Sequence, residues 1–158
     1  MGEERQILAK ELHKRATKFF DRRRVISNNV DEIWAIDLLD MSFYKNENEG
    51  YRYILNVIDV FSRYYFAVPL KDKTMGTTLE AFKTIITQNN RCPERLWNDE
   101  GGEFVNKQWK DYLKKHNIEM YHTHGEHKTS IAERFNKILR EMMSKYFTEN
   151  NTQDWVNN

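Results

Sequence analysis

Three carboxylates stand where an acid needs a reason. Asp37 interrupts the apolar run Ile33-Trp-Ala-Ile-Asp-Leu-Leu39, Asp99 follows Arg95-Leu-Trp-Asn98 and precedes Gly101-Gly102, and Glu133 falls just after Ser130-Ile-Ala132. An ionised carboxylate withdrawn from water without a partner is strongly disfavoured, so such a group protonates or meets a cation. Three acids brought together repel one another, and a divalent ion reverses the sign of that interaction. A few hard oxygen donors suit Mg²⁺, which keeps several of its waters. Two such ions about 4 Å apart activate an attacking oxygen and stabilise a leaving one at phosphorus. The chemistry to expect is metal-dependent cleavage or transfer at a phosphodiester. Spacing alone leaves a plainer alternative open: an acid near a helix start is also a favourable contact with the helix dipole.

The elements that must position these acids can be read from the pattern. Residues 4–20 read as a helix, with Ile7, Leu8, Leu12 and Ala16 at helical spacing. Asp21-Arg-Arg-Arg24 and Ser27-Asn-Asn29 then break it, as a linker would. Ile33–Leu39 reads as a buried strand, Lys45–Gly50 as a hairpin turn, and Tyr51–Val60 and Arg63–Leu70 as two more strands of an antiparallel meander. Thr74–Asn89 reads as a helix with Thr77 or Thr78 near its start, Glu80 in its first turn, and Leu79, Phe82, Ile85 and Ile86 on one face. Arg95–Asn98 is a short strand ending at Asp99, and Val105, Trp109, Tyr112 and Leu113 mark a further helix. Ile118–His122 is a fifth strand, and Ser130–Tyr146 a long helix with Ile131, Phe135, Ile138, Leu139, Met142 and Tyr146 inward. The order is βββαβαβα. Helical crossovers place the last two strands parallel within one sheet.

The totals agree with one folded unit. With 158 residues, 39% hydrophobic and 13% aromatic, the chain is long and apolar enough for a core. No apolar run approaches the ~18 residues of a membrane span, and no signal-peptide pattern is expected at its start. Cys92 is the sole cysteine, which excludes an internal disulfide and a zinc finger within these residues. The net charge of +1 hides a segregation: residues 1–30 and 104–147 are each net +4, and residues 31–103 are net −5. An acidic middle between basic flanks suits a protein that gathers cations at one spot and a polyanion around it. Scatter on solvated faces would look the same. Arg22, Arg23 and Arg24 read equally as a phosphate-contacting arm or a solubilising turn.

The residues around the three acids carry a resemblance. Trp34-Ala-Ile-Asp37-Leu-Leu-Asp40-Met41 resembles the first strand of retroviral-type integrases, where a Trp precedes the first catalytic Asp by three positions. Leu96-Trp-Asn-Asp99-Glu-Gly101-Gly-Glu-Phe104 is similar to their second motif, and Ser130-Ile-Ala-Glu133-Arg-Phe-Asn136-Lys137-Ile-Leu-Arg140 to their third. The likeness runs from about residue 11 to 150 and is nearest to integrases of Maverick/Polinton transposons, whose pattern Ile58-Asp-Val-Phe-Ser62-Arg-Tyr64 and Pro69-Leu-Lys-Asp-Lys73 also fit.

It implies a ribonuclease H-like α/β fold with a mixed five-stranded sheet flanked by helices. The division implied is an N-terminal helix and basic linker over 1–30, the catalytic core over 31–150, and a truncated C-terminal extension from 151 to 158. It implies Asp37, Asp99 and Glu133 as catalytic, metal-holding residues for a pair of Mg²⁺ ions, with Mn²⁺ as a substitute. The reactions implied are 3′-end trimming and strand transfer, the partners element-end and target DNA, the assembly a dimer or tetramer, and the place the nucleus of a eukaryotic host; no membrane is implied. Asn136, Lys137 and Arg140 are implied to face DNA, and they share a helical face with Glu133; Lys128 joins them as a candidate contact.

The pattern departs from the family in two ways. The 33 residues between Asp99 and Glu133 are slightly fewer than usual, which shortens the loop before the last helix. Relatives also carry a zinc-binding module before the core and a DNA- or chromatin-binding module after it, neither of which these residues show, so the chain is expected to be an excerpt.

Other signals carry less. Gly101-Gly-Glu-Phe104 spells a nucleotide-cyclase tetrapeptide, but there it sits in a hairpin. His122, His124 and His127 read as a solvated, substrate-facing loop. Asp40, three residues along the strand, should face away from Asp37, and Asp59 is a rival placed beside the site on the neighbouring strand. Trp34 and Phe104 read as packing residues. Two other functions stay in view: a non-catalytic DNA-binding or assembly module, and a ribonuclease H-type nuclease for RNA–DNA hybrids.

Overall fold

The computed structural model describes residues 2–13, 26–99, 104, 106–123 and 130–157, without the side chains of residues 2, 3, 99, 122, 123 and 130. Helix α1 spans Gly2–Leu12, strand β1 Ile33–Asp40, β2 Tyr53–Asp59, β3 Tyr65–Leu70, helix α2 Met75–Asn89, β4 Arg95–Asp99, α3 Lys107–Lys115, β5 Glu119–Thr123 and α4 Ser130–Asn150. The sheet order is β3-β2-β1-β4-β5. β1, β2 and β3 pair antiparallel, whereas β1–β4 and β4–β5 are parallel. This is the expected mixed sheet with the expected element order. A short 3₁₀ turn, Ser42–Tyr44, follows β1, and Gly50 takes a positive φ of 81° to close the hairpin.

Strand alternation sorts the core into two layers. Trp34 and Ile36 of β1, with Leu55 and Val57 of β2, pack under Leu79, Phe82 and Ile85 of α2 and Trp109 and Leu113 of α3. Ile33 and Ala35 turn to the other face, where Ile58 and Trp97 meet Ala132, Ile131 and Phe135 of α4. Trp34 and Phe104 are buried packing residues, as their sequence context suggests. Along α4 the apolar stripe continues through Leu139, Met143 and Phe147 onto Leu39, Met41 and Ile54.

Three local readings are corrected. Helix α2 starts at Met75, capped by Thr74, whose side chain accepts from the Thr77 backbone N–H, so Glu80, read as part of the first turn, lies beyond it and pairs with Lys83 at 2.7 Å. Helix α4 runs four residues past Tyr146, to Asn150. Met142 faces solvent, because the i, i+4 ladder from Phe135 to Phe147 puts Met143 on the sheet instead.

The two ends of the described chain pack against this frame. Ala9 of α1 is buried, and His13 Nε2 lies 3.2 Å from Thr148 Oγ1 on α4. The remainder of the helix expected over 4–20 lies outside the described residues. After α4 the chain folds back so that Trp155 joins Leu39, Met41 and Ile54. Buried Asn48 holds it there, accepting from the backbone N–H groups of Trp155 (2.6 Å) and Val156 (3.1 Å) and donating to the carbonyls of Tyr44 and Gln153.

Candidate active site

Asp37 lies in mid-β1, between Ala35 and Leu39 on the α4 side of the sheet. Its Oδ1 accepts from the Leu38 N–H at 2.8 Å, and its Oδ2 accepts from Asn136 Nδ2 of α4 at 2.5 Å. Directly opposite Asp37 on β2 is Asn56, whose Nδ2 donates to Asn136 Oδ1. Asn56 Oδ1 in turn accepts from the Tyr65 hydroxyl of β3 at 2.7 Å. The Tyr65 ring stacks on Phe135 of α4, centroids 3.9 Å apart. Burial pushes the Tyr65 phenol well above its ordinary value, so it stays a donor at any ordinary pH.

Asp99 is the last residue of β4. The parallel register pairs Ile33 with Arg95, Trp34 with Leu96 and Ala35 with Trp97. That ladder closes at Ala35 and Trp97, two residues before Asp37 on β1 and two before Asp99 on β4. On its outer side Asp99 pairs with Thr123, the end of β5.

Glu133 lies in the first turn of α4 and is exposed. It lines an open cleft of about 580 Å³ together with Asp37, Asn136, Lys137, Arg140 and His13. Lys137 and Arg140 are exposed along its wall. Asn136 is buried, and its amide bridges Asp37 and Asn56, an engagement that the reading of it as a DNA contact did not include. Among the described residues no three His, Cys, Asp or Glu side chains form a metal cluster by themselves. The donor set still fits a divalent ion: the carboxylates of Asp37, Glu133 and Glu141 on one open, water-accessible cleft are the few hard oxygens that Mg²⁺ takes.

The rival acids have other surroundings. Burial works against ionisation of Asp40, but Ser42, Lys73 and Arg140 outweigh it and hold the carboxyl below its usual range. Asp59 is not beside the site. It pairs with Trp34 in the sheet, is fully buried, and accepts from Arg91 at 2.9 Å and Ser62 Oγ at 2.5 Å. Arg91 also reaches Asp31 at 2.6 Å and covers the Trp34, Tyr64 and Phe66 rings. Arg22, Arg23, Arg24, Lys128, His124, His127 and the Gly101–Glu103 stretch lie outside the described residues, as does the His122 side chain.

Sequence reasoning passed over Asn56, Tyr65 and His13. The available signal was an Asn inside the otherwise apolar run Tyr53-Ile-Leu-Asn-Val-Ile58. Its meaning depends on the register opposite Asp37, which one strand alone does not reveal.

Residues 27–127 match the family model described as the integrase core domain. The chain belongs to that family. The match takes in Asp37 and Asp99 and stops before Glu133. This integrase core is 32% identical over 116 residues to a transposon-derived protein of Caenorhabditis elegans, covering 73% of this chain and 41% of that protein. It is 31% identical over 117 residues to a retrovirus-related Pol polyprotein from an Arabidopsis thaliana transposon, covering 70% of this chain and 7% of that protein. It thus spans less than half the length of either relative.

Among solved structures, the HTLV-2 integrase catalytic core in complex with magnesium aligns with a TM-score of 0.60 at 20% identity, over 75% of this chain and 73% of that one. The simian T-cell lymphotropic virus intasome aligns with a TM-score of 0.69 at 19% identity, over 93% of this chain and 52% of that one. These likenesses establish the fold. Among the described residues, no helix of this integrase core is long and apolar enough to cross a membrane.

Proposed function

We propose that this integrase core trims the 3′ ends of a mobile element's DNA and joins the freed 3′-hydroxyls to target DNA. Asp37, Asp99 and Glu133 would hold a pair of Mg²⁺ ions, with Mn²⁺ as a substitute. The observation that supports this reading best is the open cleft that Asp37 and Glu133 both line, with Lys137 and Arg140 along it. The magnesium of the HTLV-2 core points the same way.

Both reactions exchange one P–O bond for another. In trimming, a water oxygen bonds to phosphorus and the element's 3′ oxygen leaves as a hydroxyl. In joining, that hydroxyl attacks a target phosphorus, and the displaced target 3′ oxygen takes up the proton. Divalent ions, when bound, would neutralise phosphate charge and lower the pKa of the attacking oxygen's proton. The chain's own part is positioning. Asn136 orients Asp37, and Lys137 and Arg140 hold the phosphate backbone across the cleft. Arg22, Arg23, Arg24 and Lys128 extend that contact, and two ends processed together call for a dimer or tetramer. By the resemblance of its motifs to Maverick/Polinton integrases, the parent would be a eukaryotic element acting in the nucleus.

The test uses labelled duplex DNA and an RNA–DNA hybrid of the same sequence, each with Mn²⁺. Nicked or joined duplex, abolished by Asp99→Asn, is the expected result. Activity that survives the substitution overturns the assignment. Cleavage of the hybrid alone makes the protein a ribonuclease H-type nuclease, and DNA binding without divalent-ion uptake makes it a non-catalytic module.

A further inference from the structure

We infer that Asn56 and Tyr65, on strands that carry none of the three proposed metal-holding carboxylates, are positioning residues that orient the Asp37 carboxylate through Asn136. An ionised carboxylate only accepts, so Asn136 must offer Asp37 its Nδ2 and turn its Oδ1 away. That oxygen requires a donor, which Asn56 supplies with its Nδ2, leaving Asn56 Oδ1 to accept. The Tyr65 hydroxyl is the donor that completes the series. Every group therefore has one permitted orientation, and the chain of bonds has one direction, from phenol to carboxylate. Asn56 and Asn136 are both buried, so neither amide can exchange its partner for bulk water without loss.

The same residues tie the helix to the sheet. Asn56 reaches α4 at Asn136, and Tyr65 stacks on Phe135 one residue earlier. Glu133 lies two residues before Phe135 on that helix. Two strands that hold none of the three carboxylates thus fix both how Asp37 points and how far α4 stands from β1. Partners of this kind behind a metal-holding group set its geometry as much as its own rotamer does. The consequence for metal uptake rests on the function proposed above; the orientation of Asp37 does not.

The test uses the full 158-residue chain with Asn56→Ala, Tyr65→Phe and both together. Tyr65→Phe keeps the ring on Phe135 and removes only the hydroxyl, so the fold is retained. In metal-free protein, NMR of the Asn136 side-chain amide should show faster proton exchange and shifted resonances in both variants. Calorimetric Mn²⁺ titration should show affinity weakened about tenfold by Asn56→Ala and about threefold by Tyr65→Phe. The double variant should match Asn56→Ala alone, because Tyr65 acts only through Asn56; independent structural roles would instead multiply. Unchanged Asn136 resonances overturn the inference, and so does unchanged Mn²⁺ affinity against a wild type that binds. If the wild type takes up no Mn²⁺, the metal reading falls by itself, and the Asn136 resonances still decide the positioning.

Discussion

Asp37 on the first strand and Asn136 on the last helix, 99 positions apart in the chain, are joined by a hydrogen bond of 2.5 Å. The two ends of the core close on each other at this point. Between them opens the cleft that Glu133, Lys137 and Arg140 also line. The relationship gives the cleft a fixed wall, so substitutions along it should separate into those that alter DNA contact and those that alter stability.

Lys137 and Arg140 are exposed on the cleft, where the proposed function puts the DNA backbone. Each phosphate contact releases condensed counterions, so the logarithm of affinity falls with the logarithm of salt. Lys137→Ala and Arg140→Ala should each reduce that slope by about 1 and weaken binding to all duplex sequences alike. Fluorescence anisotropy across a salt series checks this. A slope unchanged in both variants places the DNA elsewhere.

Arg91 belongs to the stability class. Its partner Asp59 is fully buried, and its guanidinium also bridges to Asp31. Removing the cation leaves a buried carboxylate unpaired, so Arg91→Met should lower unfolding free energy by about 3 kcal/mol. Urea denaturation measures it. The Mn²⁺ affinity of the folded fraction should not change, because this cluster sits away from Asp37.

Glu32 sets a pH dependence. The backbone N–H of Asn28 holds its carboxyl below the ordinary value of 4.5, outweighing burial, with help from Asn29, Ser27 and Arg95. A depressed carboxyl stabilises the fold above its unfolded pKa and loses that contribution as pH falls through the folded value. Stability should therefore decline as pH drops below 4.5, and Glu32→Gln should flatten the decline while lowering stability at neutral pH. Urea midpoints measured from about pH 6 down to about pH 3 test the sign. Parallel curves for the two proteins would contradict it.

The order of elements was legible because each has a strong period: a buried run around Asp37, β-branched and aromatic meander strands, and helical stripes at Leu79–Ile86 and Ile131–Leu139. The misreadings came where the backbone or the sheet, not the residue type, decides. Glu80 reads as a first-turn acid, and only the backbone shows that Thr74 caps the helix and leaves Glu80 beyond that turn. Met142 and Met143 are chemically alike, and the sheet selects Met143.

The carboxylates stood out because acids are conspicuous in apolar context. Asn56 did not, since a polar residue in a strand gains meaning only from what lies across from it. Asp59 was misplaced for the same reason: its distance from Asp37 depends on strand direction, and Arg91, which neutralises it, comes from 32 residues further along the chain.

If Asp37, Asp99 and Glu133 share divalent ions, a crystal of this chain soaked in Mn²⁺ and recorded for anomalous scattering will show it. One or two anomalous peaks should lie in the cleft, within ligand distance of an oxygen from each of the three side chains. Anomalous peaks confined to other surfaces at saturating Mn²⁺, with the three carboxylates left apart, would contradict it.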